Sequence, residues 1–255
     1  MVTAFVVAGC ALIAAALLYF QFHLPRRRAI QKARAYFQRA LLSVGGNISS
    51  GFYSVTLAGA RHGKKFLASI EMSTNNGKPT PIFRISLENK MAGHFSITPS
   101  LASTDPITDL TQTISLSNVA PQTTLGDISF DSRHRTLSFH GDFVRKNLSS
   151  PRKIQAIERA FSLGAVRMDF DGRSLALLWS PFDLDDLNAD SQLLNKAISD
   201  LYLITEGMTP AAPLRFGEIF DGMKKADILY YLLILVGMLL YAGLKFYSVF
   251  HKAWE

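Results

Sequence analysis

Cysteine is almost absent from this chain: Cys10 is its single thiol, and it lies inside a hydrophobic run. That excludes disulfides, thiolate catalysis and cysteine-based zinc sites in the rest of the chain. Neither a Gly-x-Ser-x-Gly elbow nor a Gly-x-Gly-x-x-Gly fingerprint occurs. The sequence therefore carries no catalytic or cofactor motif. We expect no cofactor and no bound metal, and we favour a role other than an enzyme's.

Carboxylates are also missing from the first part of the chain, where Glu71 is the first acidic residue. Basic residues are common there, and the whole chain has a formal net charge of +7. One basic stretch, residues 59–65, superficially resembles a phosphate-binding loop. It has three residues between its glycines instead of four, and Lys65 stands where a magnesium-binding Ser or Thr is needed. A solvated hairpin tip is the better interpretation of this stretch.

Two long hydrophobic segments, residues 2–22 and 228–250, bracket the chain. Each is long enough to cross roughly 30 Å of hydrocarbon as a helix of about 20 residues. Charge follows the first segment and does not precede it, which is the reverse of a cleaved signal peptide. The sequence therefore predicts two transmembrane helices.

Basic residues next to these segments predict the topology. The positive-inside rule places them in the cytoplasm, with both termini outside and the central domain inside. Lys245, His251 and Lys252 argue weakly for the reverse. We expect residence in the bacterial inner membrane. The residues that set this topology, and that would also attract anionic lipid headgroups, are Arg26, Arg27, Arg28, Lys32, Arg34, Arg39, Lys224 and Lys225.

The predicted organisation has six parts. They are a transmembrane helix (1–24), a basic juxtamembrane amphipathic helix (25–45), a cytoplasmic α+β domain (46–208), a linker (209–227), a second transmembrane helix (228–250) and a tail (251–255).

Hydrophobic periodicity gives the fold class of the central domain. Residues 29–44 show a helical apolar stripe, which could lie on lipid but which we expect to pack on the domain's own sheet. Alternation over 66–72 and 83–87 around an Asn-Gly turn predicts antiparallel strands, and residues 128–139 predict another strand or strand pair. Asp171-Gly172 predicts a further hairpin. Helices are expected over 151–163 and 190–206. Residues 100–126 are expected to form a loop that contains a short strand at 114–116. The sum is an α+β fold, an antiparallel sheet with packed helices, flanked by the two transmembrane helices.

The run Gly126-Asp127-Ile128-Ser129-Phe130-Asp131, then Gly141-Asp142, a helix around 154–157, a glycine-centred hairpin and a leucine-rich helix resembles a group of bacterial membrane-anchored proteins. They share a Gly-Asp...Phe-Asp core signature followed by helix, hairpin and helix. The resemblance covers 126–204, and His134 stands where the pattern has an aromatic residue. It implies a fold and a bacterial origin and brings no reaction with it.

One surface is the best candidate for function in the soluble domain. Its charged residues form either a catalytic carboxylate set or a salt-bridged strand edge, and the second interpretation is the simpler. A metal ion shared by His134 and His140 is disfavoured, because six residues of straight strand span roughly 20 Å. The acidic run at 183–190 could suggest calcium binding, but it lacks the turn glycine and the distal Glu of an EF-hand loop. Helix capping explains these residues without an ion. The residues of this candidate surface are Asp127, Asp131, Arg133, His134, His140 and Asp142.

In the first hydrophobic segment, Ala4, Ala8, Ala11 and Ala15 recur at a spacing that allows close approach of a second helix. This favours an accessory or scaffold subunit of a larger membrane complex, with integral membrane proteins as partners and no nucleic acid. Alanine as apolar filler is the alternative for the stripe. A membrane-tethered enzyme, or a domain that senses a ligand or lipid, is the alternative for the whole chain.

Overall fold

A computed structural model describes residues 24–75, 78–100, 120–184 and 192–213, together with Tyr19 and Val236. The described strands form one antiparallel sheet with helices packed on it, so the chain has the predicted α+β class. Five helices are described: α1 (Leu24–Val44), α2 (Ile128–Arg133), α3 (Gly141–Leu148), α4 (Pro151–Ser162) and α5 (Leu193–Thr205). The strands are β1 (Asn47–Ser50), β2 (Ser54–Arg61), β3 (Lys64–Asn75), β4 (Lys78–Glu88), β5 (Phe95–Pro99), β6 (Gln122–Thr123), β7 (His134–Leu137), β8 (Arg167–Phe170) and β9 (Ser174–Trp179).

Within the described residues, no helix combines the length and the apolar character needed to cross a membrane. The two predicted transmembrane segments, 1–24 and 228–250, lie almost wholly outside the described residues. So do the alanine stripe and the basic pair Lys224 and Lys225. The flanking transmembrane helices therefore stay predictions.

The sheet has nine strands in the order β1-β2-β3-β4-β9-β8-β5-β7-β6, and every neighbouring pair is antiparallel. Strands β3 and β4 form the longest pairing, with Phe66 opposite Leu87 and Ile70 opposite Phe83. These side chains are buried, as their alternation with polar neighbours predicts. The Asp171-Gly172 hairpin joins β8 to β9, and Gly172 takes the positive φ of 82° that such a turn requires.

Helix α1 begins at Leu24 and lies on the sheet. Its stripe buries Ala33, Tyr36, Phe37 and Ala40 completely or nearly so, and the Phe37 ring lies 6.3 Å from that of Phe83. Contact with the sheet, rather than with lipid, therefore accounts for the apolar stripe of this helix.

A tight turn reverses the chain after α1. Gly45 donates its N–H to the carbonyl of Leu41 at 2.9 Å, with a φ of 70°. A side chain at Gly46 would place its Cβ only 2.3 Å from the carbonyl oxygen of Ala58. Glycine at this position therefore allows β1 to turn closely against β2.

The described helices share one face of the sheet, and aromatic rings mark the contact. Phe143 of α3 stacks 6.0 Å from Phe170 of β8, and Phe161 of α4 stacks 5.0 Å from His134 of β7. Helix α5 packs between α1 and α4 and buries Leu194 and Ile198. The core lies between this helical layer and the sheet.

The opposite side of the sheet, which we call the outer face, carries small and polar side chains. One cross-strand row runs from Ala58 through Leu67 and Ser86 to Ala176, because these residues are direct partners in register. The leucine in this row is 45% exposed. Alternation of this kind is typical of an antiparallel sheet with one buried face.

The prediction of a strand over 128–139 is wrong in its first half. Residues 128–133 form the short helix α2, and only His134–Leu137 is a strand. Asp127 has extended backbone and its side chain accepts the N–H of Phe130 at 2.9 Å, which caps the helix. A second helix, α3, follows at Gly141–Leu148, where no helix is predicted from the sequence.

Candidate functional site

The predicted functional surface is divided among structural roles. Asp127 caps α2, and the two carboxylate oxygens of Asp131 each accept one backbone N–H, from Leu125 and from Gly126, both at 3.0 Å. Charge-assisted bonds of this kind hold a loop firmly. Both carboxylates therefore shape the connection between β6 and β7.

The basic and exposed members of that surface form ion pairs. Arg133 lies 2.5 Å from Glu158 of α4 and also donates to the carbonyl of Ser129. Asp142 pairs with Arg145 at 2.6 Å within the first turns of α3, and its side chain is 96% exposed. The structure thus brings Arg133 to α4 and leaves Asp142 at the surface.

The two histidines do not share a strand. His134 begins β7, is only 8% exposed and stacks between Phe130 at 4.3 Å and Phe161 at 5.0 Å. Its Nδ1 lies 3.2 Å from the Phe130 carbonyl, and burial lowers its pKa against the opposing effect of that contact. His140 immediately precedes α3 and donates its backbone N–H to Ser138 at 2.9 Å. An aromatic-like role in the core explains the buried histidine.

A second polar cluster, which the sequence does not predict, lies where β5 begins and β8 ends. Burial lowers the pKa of His94, while Asp169 and Asp171 raise it and His140 lowers it further. The buried Nδ1 of His94 has no hydrogen-bond partner in the part of the chain that the structure describes. No spacing in the sequence points to this cluster, because its members meet only through strand pairing.

The acidic members of this cluster also hold the fold. Asp169 pairs with Arg167 at 2.8 Å. Asp171 accepts the N–H groups of Arg173 and Ser174, both at 2.8 Å, and closes the β8–β9 turn. Burial of the Asp171 carboxylate raises its pKa, but these bonds outweigh burial and the net pKa is lowered. Among the described residues, no group of three or more His, Cys, Asp or Glu could hold a metal ion.

A cavity of about 320 Å³ opens between α4 and α5. Asp200 is buried on its floor and accepts both the Nε of Arg159 at 3.1 Å and its Nη2 at 2.6 Å. Most of its lining residues are polar or charged, with both signs present, but more of the lining surface is apolar than polar. Its lining residues are Arg159, Ser162, Leu163, Asn195, Lys196, Ser199 and Asp200.

The β2–β3 hairpin tip is less solvated than the sequence indicates. His62 and Gly63 take positive φ angles of 51° and 77°, as a two-residue hairpin turn requires. Lys64 donates to Asn89 at 3.0 Å and to the Thr205 hydroxyl at 2.9 Å. Burial lowers the pKa of Lys64, although Glu206 opposes this shift. The tip therefore fastens the sheet to the end of α5.

The predicted basic residues that the structure describes all lie on α1. Arg27, Arg28, Lys32, Arg34 and Arg39 are exposed on its solvent side. Arg26 is partly buried and its guanidinium carbon lies 4.4 Å from the centre of the Tyr53 ring. The described part of the chain thus presents a basic helix on an α+β domain.

Comparison with known proteins assigns no family to this α+β domain with its basic helix. No protein-family model matches the chain, and no curated protein sequence matches it. A solved structure that resembles it is the mycobacterial trehalose monomycolate transport factor A, TtfA, at 11% sequence identity and a TM-score of 0.47. The alignment covers 72% of this chain and 98% of that one. A likeness of this extent carries no argument about function.

Proposed function

We propose that this chain is a non-catalytic accessory subunit of a larger protein complex in the bacterial inner membrane. Residues 2–22 and 228–250 anchor it beside integral membrane partners, and the α+β domain lies in the cytoplasm. The observation that carries the proposal is the use of the domain's polar side chains. Asp127, Asp131, Asp171 and Asp200 each bind backbone N–H groups or an arginine that holds the fold.

The outer face of the sheet is where this subunit meets its partner. The described helices cover the other face, while the row from Ala58 to Ser86 has short side chains around the partly exposed Leu67. Short side chains let the surface of a second protein approach the strands closely. The partner is an intracellular segment of the same membrane complex, since the anchors keep the domain next to it.

The test is extraction of the tagged, full-length protein in a mild detergent, followed by size analysis and mass spectrometry. We expect a stoichiometric set of integral membrane proteins. Replacing Ala8 and Ala11 by leucine should release them, because larger side chains block close helix packing. A lone monomer or homodimer, or partners retained after the double replacement, would contradict the proposal.

A matched pair of variants tests the outer face. Leu67→Lys places a charge in the cross-strand row, whereas Leu42→Lys places the same charge on α1, at a side chain that is 91% exposed. We expect the first variant to lose its partner proteins on extraction and the second to keep them, with both variants folding normally. Equal recovery of partner with both variants would exclude the outer face.

The cavity between α4 and α5 favours a second candidate, a membrane-tethered domain that senses a ligand. A volume of about 320 Å³ is at the small end of ligand sites. Thermal unfolding of the wild-type protein across a library of small polar metabolites would test it. A shift that Ser199→Trp abolishes would support sensing, and no shift with any compound would count against it.

A further inference from the structure

Two aromatic side chains stand exposed in the turn between β1 and β2. Phe52 is 59% exposed and Tyr53 is 53% exposed. Their rings lie 4.7 Å apart at 76°, so they form one apolar surface. Neither belongs to the hydrophobic core. A paired aromatic surface held out to solvent is a feature of binding sites more than of plain loops.

The start of α1 brings Arg26 to this surface. The guanidinium of Arg26 lies over the Tyr53 ring, with 4.4 Å between its carbon and the ring centre. Arg27 and Arg28 follow on the same exposed turn. Cation–π contact joins two parts of the chain that are far apart in sequence. We call Arg26, Arg27, Arg28, Phe52 and Tyr53 the basic–aromatic corner.

The corner keeps a net positive charge. No acidic residue precedes Glu71 in the chain, and Glu71 is the direct partner of Ser54, beside the corner. Its Oε1 accepts the hydroxyl of Ser69 at 3.4 Å. Asp183 also lies at this end of the sheet, because the preceding Phe182 donates its N–H to Pro81, the partner of Met72. Among these described residues, three arginines therefore stand against two carboxylates.

The corner also lies at the point where the chain comes from its first hydrophobic segment. Leu24, the first residue of α1, follows the run 2–22 almost directly in sequence. Aromatic rings with a polar edge favour the headgroup level of a bilayer, and arginine stems reach phosphates there. Apolar, basic and membrane-proximal features therefore coincide at one end of the sheet.

We propose that the basic–aromatic corner docks on the surface of an anionic phospholipid bilayer. Phe52 and Tyr53 enter the headgroup region, and the arginines bind lipid phosphates. This inference rests on the proposed membrane anchoring, and it adds a lipid class, a site and an orientation. Ala60 lies six residues along β2 from Ser54 and is therefore held roughly 20 Å farther from the membrane.

The experiment uses the full-length protein in lipid nanodiscs, with Cys10→Ser removing the only native thiol. A spin label at Ser50→Cys reports on the corner, and one at Ala60→Cys is the control at the far end of β2. Accessibility to oxygen against a water-soluble nickel complex measures immersion of each label. We expect the label at position 50 to be immersed with phosphatidylglycerol present and less so in phosphatidylcholine alone. The label at position 60 should stay aqueous in both.

Two sets of variants assign the effect to the corner. Arg27→Gln with Arg28→Gln should weaken docking about fivefold for each arginine, which corresponds to about 1 kcal/mol per charge. Arg34→Gln with Arg39→Gln removes the same charge from the same helix outside the corner and should change little. Phe52→Ser with Tyr53→Ser should abolish immersion in both lipids. Thermal unfolding confirms that each variant is folded.

The outcomes separate this inference from the function on which it rests. Failure of the chain to enter nanodiscs would overturn both. Entry with an aqueous label at position 50 in both lipids would overturn the docking alone. A label shielded from oxygen and nickel together would show that protein covers the corner, and equal immersion in both lipids would overturn recognition of anionic lipid.

Discussion

At the scale of single residues, three carboxylates of this domain act on the backbone, namely those of Asp127, Asp131 and Asp171. Asp131 holds two consecutive N–H groups, and Asp171 does the same in the β8–β9 turn. A sequence pattern cannot distinguish such residues from catalytic ones, since both need an acidic side chain at a fixed place. The distinction depends on what lies within hydrogen-bond distance.

Asp131→Ala should lower the free energy of unfolding by about 1–2 kcal/mol, because it leaves the Leu125 N–H without a partner in a partly buried site. The same change at Asp142 removes only an exposed ion pair and should cost less than about 0.5 kcal/mol. Denaturant midpoints of the two variants make the comparison. Loss of a binding or catalytic activity in Asp131→Asn at unchanged stability would instead restore the catalytic interpretation.

Acid should destabilise the domain partly through His134. Its pKa is lowered by burial, so below the ordinary value of 6.5 the unfolded chain binds more protons than the folded one. Its contribution to stability is therefore complete above that value and falls as the pH drops through it toward the lower folded pKa. Arg133 and Glu158 face the ring and oppose each other's effect.

His134→Phe tests this dependence, since phenylalanine can stack between Phe130 and Phe161 in the same way. We expect the loss of thermal stability between neutral pH and about pH 5 to become smaller. The remaining loss belongs partly to His94, whose pKa is lowered as well. An unchanged pH profile would show that His134 takes no part.

At the scale of elements, periodicity located the segments that bury one clear face. Alternation predicts β3 and β4, and Asp171-Gly172 predicts the β8–β9 hairpin, because core packing and turn geometry act there through neighbouring residues. Pro151 and Gly164 mark the limits of α4 in the same way. Short elements were not predicted correctly. The pattern at 128–139 alternates like a strand, yet the Asp127 cap and the Asp131 loop bonds turn its first half into α2.

Helix α1 should contribute to the stability of the whole domain. Phe37 is fully buried against Tyr36 and Phe83, so Phe37→Ala should cost about 3–5 kcal/mol. Leu42→Ala on the exposed side of the same helix should cost less than about 0.5 kcal/mol. Thermal unfolding measures both. Equal, small effects would mean that α1 is only loosely attached to the sheet.

At the scale of the whole molecule, the candidate site was the least predictable feature. The sequence singled out Asp127 to Asp142, where charges are dense, but proximity in sequence does not decide which side chains converge. The His94 cluster joins β5, β8 and the start of α3, and the basic–aromatic corner joins α1 to the β1–β2 turn. Both depend on strand pairing over long sequence distances.

The predicted topology can be tested with one cysteine at a time in the Cys10→Ser background. Ser149→Cys lies in the exposed loop between α3 and α4, and Glu255→Cys lies in the predicted tail. In spheroplasts, a membrane-impermeant maleimide should label the tail and spare the loop until the membrane is opened. Labelling of the loop in unopened spheroplasts would place the domain outside.

The path of the chain after α5 has a mechanical consequence. Thr209 is clamped by Asn147 at 2.7 Å, and Ala211 donates to Ala92 at 2.8 Å, at the end of the sheet opposite Tyr53. The eight residue-to-residue steps of β3 from Lys64 to Met72 measure the separation of the two ends, about 26 Å. The fourteen residues 214–227 extend to about 50 Å at most. With both predicted transmembrane segments in one bilayer, the domain stands upright on the membrane and residues 214–227 connect its far end back to the bilayer. Shortening this connection by half should therefore tilt the domain toward the membrane.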